Sequence, residues 1–171
     1  MQVVKKGLIS LLVLWFALLL FMPKIEIYYA LEKVLDKQGI QLNESQMDEG
    51  LFTLTLKDVT LFAQGVKVAH IDKIDIFTLL IYTKVTAQTF VVSESLSSMM
   101  PKNADNIEVR YSILDPLHVT LNAVGSFGTL KGYIDLKGKK IHIDFVEPKD
   151  IRTIRSSLKK GEEGWYYETS F

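Results

Sequence analysis

The 171-residue chain contains no cysteine. Disulfides, thiolate metal sites and thiol nucleophiles are therefore excluded. Net charge is also missing, because 20 Lys and Arg balance 20 Asp and Glu. Nothing global draws the chain to nucleic acid or to a strongly charged partner. Histidine is scarce, and His70, His118 and His142 lie far apart without H-x-x-x-H spacing. There is no glycine-rich phosphate loop and no G-x-S-x-G elbow; Gly125-Ser126-Phe127-Gly128 reads as a hairpin tip. Asp72 and Asp75 are three apart in a strand-like stretch, which points them to opposite faces and makes a poor acid–base pair. The expectation is a chain that is not an enzyme, with no catalytic residue, cofactor or metal.

What is present is a folded-protein composition, 48% hydrophobic and 23% charged. Its most apolar part is residues 7–22, GLISLLVLWFALLLFM, which carry no charge and follow Lys5 and Lys6. As a helix this run covers roughly 24 Å, a little short of a hydrocarbon core of about 30 Å. Lysine snorkelling and local thinning make up such a deficit. A cleaved signal peptide would end in small residues, but this run ends Leu19-Leu20-Phe21-Met22-Pro23-Lys24. Residues 1–23 therefore read as an uncleaved signal-anchor, with Lys5, Lys6, Leu8, Leu12, Trp15, Phe16, Leu19 and Phe21 as its membrane contacts. Lys24, Lys33 and Lys37 follow the run, so charge alone does not orient it. The paired lysines against its start favour an N-terminus inside.

Residues 24–39 read as an amphipathic connecting helix. Pro23 suits a helix start and Gly39 its stop; Ile27, Leu31, Val34 and Leu35 share a face. Residues 40–171 read as one β-rich domain. Val109, Tyr111 and Ile113, then Leu117, Val119, Leu121 and Ala123, then Leu130, Gly132, Ile134 and Leu136, then Ile141, Ile143 and Phe145 alternate with polar residues across short turns. That is an antiparallel meander with one wet face. A longer strand-like run covers 79–92, and a break covers 93–106. Residues 148–160 are expected to be helical, with Ile151, Ile154 and Leu158 as the apolar stripe and Lys149, Arg152, Arg155 and Lys159 as a basic face. That face suits anionic headgroups or an acidic partner, or is simply solvated. Trp165, Tyr167, Thr169 and Phe171 alternate in a last strand. A small outer-membrane barrel after signal cleavage is the alternative that this ending suggests. The fold class is mainly β: a transmembrane helix, a short amphipathic helix, then a curled antiparallel meander of about 8–9 strands with a short helix near the C-terminus.

Residues 50–96, GLFTLTLKDVTLFAQGVKVAHIDKIDIFTLLIYTKVTAQTFVVSESL, resemble the opening β module of AsmA/TamB-like envelope proteins. The likeness lies in a glycine after a helical anchor, the Asp58-Val59 pair, the hairpin glycine Gly65, Leu79-Leu80 and a returning strand. Residues 124–136, VGSFGTLKGYIDL, are similar to the β meander of the type II secretion system protein N family. The resemblance implies a domain in the periplasm, held by a single-pass anchor in the bacterial inner membrane. It implies an assembly role among inner-membrane or periplasmic envelope proteins, or contact with lipid as in AsmA-like or lipopolysaccharide-export modules. The apolar concave face of the curled sheet would then be lined by Phe52, Leu54, Leu56, Leu121, Ile134, Ile143 and Phe145.

Overall fold

The computed structural model describes residues 2–20, 23–79, 81–162 and 164–171, without the side chains of Leu19 and Leu20. The anchor contacts assigned to Leu19 and Phe21 thus lie outside the described residues. Helix α1, Gln2–Leu20, is 19 residues long, and helix α2, Lys24–Asp36, follows almost at once. Among the described residues no helix is long and apolar enough to cross a membrane. The described part of the apolar run ends at Leu20.

After the left-handed Gly39 (φ +77°) the chain enters one sheet of 11 strands. These are β1 Ile40–Asn43, β2 Gln46–Glu49, β3 Thr53–Ala63, β4 Val66–Leu79, β5 Tyr82–Val92, β6 Asn103–Ser112, β7 Asp115–Gly125, β8 Gly128–Asp135, β9 Lys140–Pro148, β10 Lys159–Gly161 and β11 Gly164–Ser170. Every pairing is antiparallel. The order runs β1-β3-β4-β5-β6-β7-β8-β9-β11-β10, with β2 alongside β3.

The strand count exceeds the expected 8–9 because β1, β2 and β10 are only three or four residues long, too short to show an alternation. The run at 79–92 is not one strand. It contains the β4–β5 hairpin, which turns at Ile81 without a glycine or asparagine to announce it. The helix expected at 148–160 is absent, and only Arg155–Ser157 form a 3₁₀ turn. Strand β9 carries on to Pro148, and the Lys149 and Asp150 amides donate to the Phe127 and Ser126 carbonyls. Those bonds hold the segment extended where a helix would begin. A helix of about thirteen residues has little intrinsic stability to set against them.

Side-chain alternation changes phase along a line crossing four strands. Leu54 and Leu56, and then Val59, are buried in β3; Asp58 between them has φ +51°. In β4 the core residues pass from Ile71 to Ile74, and in β5 from Ala87 to Phe90, with Thr89 at φ +54°. In β6 the register slips between Ala104 and Asn106. The slip in β6 is a bulge, which re-aims the side chains beyond it, whereas the left-handed Asp58 and Thr89 reverse the alternation in β3 and β5 with the pairing register kept. Together they let one face stay apolar through the change of phase.

Two cores cover this face. Tyr28 of α2 packs with Leu54, Leu56, Val59 and Ile71. At the other end Phe127, Phe145 and Ile151 pack with Ala104 and Ala123, flanked by Ile154, Leu158 and Trp165. The apolar spacing of Ile151, Ile154 and Leu158 thus caps the sheet without being a helix stripe.

Candidate functional site

Register shows which side chains share the apolar face. Leu54 lies opposite Ile76 and Leu56 opposite Ile74, and the row continues through Val85, Val109, Leu121, Gly132, Ile143 and Tyr167. A parallel row runs Ile107, Ala123, Leu130, Phe145 and Trp165. Leu54, Leu56, Leu121, Ile134, Ile143 and Phe145 therefore stand on one face, with Phe52 just before β3. Leu54, Leu56 and Phe145 are buried in the two cores, whereas Leu121, Ile134 and Ile143 are half-buried.

Beside α2 this face opens into a groove of ≈ 250 Å³, walled by Ile27, Leu31, Leu54, Ile76 and Val85 and floored by Tyr28. Helix α2 makes it by docking on an unexpected stripe. Lys24 and Tyr28 are buried, while Ile27, Leu31 and Val34 are each about half exposed. Two polar clasps set that rotation. The Tyr28 hydroxyl donates to Glu44 at 2.9 Å, and the Lys24 ammonium meets Glu49 at 3.4 Å. Burial, then the Glu44 bond and charge, push the Tyr28 hydroxyl's pKa far up. Tyr28 therefore remains a neutral donor.

The opposite face is polar. Burial pushes the Asp75 carboxyl up, but hydrogen bonds from Lys73 and Thr55 outweigh it and hold the group below its usual range. Glu168 is held low by Lys140 at 2.7 Å and by His142. His142 lies between the rings of Tyr133 and Tyr166, with centroids 5.4 Å away on each side. Its nitrogens face Glu168 at 3.3 Å and Asp144 at 3.0 Å. His118 meets Asp115 at 2.8 Å, and this hydrogen bond raises its pKa. His70 lies 3.5 Å from Asp72. Each histidine thus has a carboxylate of its own. Because of the phase change at Asp72, Asp72 and Asp75 both lie away from the core, contrary to the alternation expected. No group of three His, Asp or Glu among the described residues is arranged to hold a metal.

The basic residues of 148–160 do not form one helix face. Arg152 forks onto Asp150 at 2.9 and 3.1 Å, Arg155 lies 5.0 Å over the Trp165 ring, and Lys159 meets Glu168 at 3.8 Å. Lys149 is exposed, its amide bonded to Phe127. In α1, Leu8, Leu12 and Phe16 are exposed, and Trp15 is 39% exposed; Lys5 and Lys6 sit on the same helix.

What sequence reasoning missed is the groove. Its α2 wall was legible as an apolar stripe, but the tyrosine that turns the stripe away from the sheet gave no signal. No protein-family profile matches the chain, and neither does any curated protein or solved structure.

Proposed function

We propose that this chain is a non-catalytic module of the bacterial envelope, anchored in the inner membrane by α1, that handles lipid acyl chains on the apolar face of its sheet. The observation that carries the reading is the open groove under α2. Apolar side chains left half exposed mark a binding surface rather than a finished core. The anchor reading rests on α1's unshielded apolar side chains and on a sequence that continues the run through Phe21 and Met22. The paired Lys5 and Lys6 against the start of the run support an N-terminus inside, which puts the sheet in the periplasm.

The test is native mass spectrometry of the full chain released from membranes. Wild type carries lipid masses, and Val85→Trp, which fills the groove, loses them without changing the circular dichroism. Absence of lipid on the wild type would sink the proposal.

A second reading has its own support. Strand β10 covers β11 only at Gly164, Trp165 and Tyr166, which leaves Tyr167–Ser170 as a sheet edge. An open edge accepts a partner strand. Together with the resemblance to the type II secretion protein N family, this supports an assembly role among envelope proteins. A photo-crosslinker at Thr169 then captures one inner-membrane or periplasmic protein, and an uncrosslinked chain refutes it.

A further inference from the structure

An antiparallel sheet sends alternate hairpins to opposite ends. At one end of this sheet lie the turns between β2 and β3, β4 and β5, β6 and β7, and β8 and β9. These turns are apolar and exposed: Leu51 (52%), Ile81 (45%), Ile113 (53%), Leu114 (84%) and Leu136 (43%). They are tied into one rim. The Ile113 amide donates to the Ile81 carbonyl at 2.9 Å, and the Leu136 amide to Leu117 at 2.8 Å.

The same end receives the anchor. Lys24 opens α2 beside Glu49, the last residue of β2, and α2 then runs along β3 until Asp36 reaches Gln41. Four residue steps separate Leu20 of α1 from Lys24, at most about 14 Å of chain. The rim therefore starts where α1 ends. Charge agrees. Glu49 is met by Lys24, Asp115 by His118, and Asp135 by the amides of Lys137 and Gly138. The exposed Lys137 and Lys139 add positive charge beside the apolar turns.

We infer that this rim of hairpin turns dips into the bilayer surface beside α1, so that the sheet stands on the membrane with the α2 groove opening at the lipid headgroups. The occupant is the bilayer that holds α1. Connection length, apolar residues exposed in four neighbouring turns and flanking lysines all point to it. The inference rests on the anchor reading, and its test separates the two.

The absence of cysteine allows single labels on the full chain. Leu12→Cys, Ile113→Cys, Leu114→Cys and Met99→Cys each carry an environment-sensitive fluorophore. Each is reconstituted into phosphatidylethanolamine–phosphatidylglycerol vesicles with or without brominated acyl chains. Leu12 reports the anchor, and Met99 is a 69% exposed apolar control in the break at the opposite end of the sheet. The expected result is blue-shifted emission and bromine quenching at positions 12, 113 and 114 but not at 99. Quenching at 12 with water-like emission at 113 and 114 overturns the rim and leaves the anchor standing. Quenching at 99 as well overturns the upright placement. No quenching at 12 overturns both.

Discussion

Replacing Tyr28 with alanine tests how α2 is held. The side chain is 3% exposed. A buried aromatic ring removes about 150–250 Å² from water, or about 4–6 kcal/mol at ~25 cal/mol per Å². Denatured chains already bury part of that surface, and the alanine methyl keeps a little, so about 3 kcal/mol is lost. Tyr28→Phe retains the ring and removes only the bond to Glu44, which costs about 1 kcal/mol. Hydrogen exchange of the full chain in detergent reads both losses at the amides of α2 and of the β3–β4 hairpin. The amides around Phe127 and Phe145 belong to the other core and change little. Two results would refute the reasoning. Equal losses in the two variants would mean that the hydroxyl, not the ring, docks the helix; no loss in either would mean that α2 does not rest on Leu54 and Leu56.

Three further outcomes are expected. Thr89 is β-branched at φ +54°, so Thr89→Gly relieves strain and raises the unfolding free energy by about 1 kcal/mol, measured by denaturant titration. A Cβ at Gly128 (φ +98°) would run into the Glu147 carbonyl; Gly128→Ala therefore destabilises by more than about 2 kcal/mol, visible as a lowered melting temperature. The folded-state pKa of His118 is raised by its bond to Asp115. The stability from this pairing is full below the unfolded value of about 6.5 and is lost as pH rises through the folded pKa. Proton NMR titration shows the raised value, and Asp115→Asn returns it toward the ordinary one.

The meander from β6 to β9 was legible in the sequence because its polar and apolar residues alternate cleanly and glycines lie in or beside two of its three turns; Asp115-Pro116 reads as the remaining turn but lies in β7, just after the turn at Ile113 and Leu114. The β4–β5 turn was not, since the residues around it are as strand-prone as the strands themselves. Residues 148–160 show the opposite failure. Ile151, Ile154 and Leu158 have helical spacing, yet three apolar residues at that spacing serve equally well as an irregular cap over Phe127 and Phe145. Local pattern cannot tell the two apart, because the competing hydrogen bonds come from a turn more than twenty residues away.

By itself, the sequence determined the order of the parts: an apolar N-terminal run, a short amphipathic helix, then antiparallel strands with one wet face. Period and composition are local properties, and they suffice for that. Only the tertiary structure decided where the apolar face stays open. Tyr28 and Lys24 rotate α2 so that Ile27 and Leu31 wall a groove, and left-handed residues at Asp58 and Thr89, with a register slip between Ala104 and Asn106, keep one face apolar through the change of phase. It also decided that apolar turns from four separate hairpins meet at the end where α1 enters. Those outcomes depend on register between strands distant in sequence, and no local period records that register.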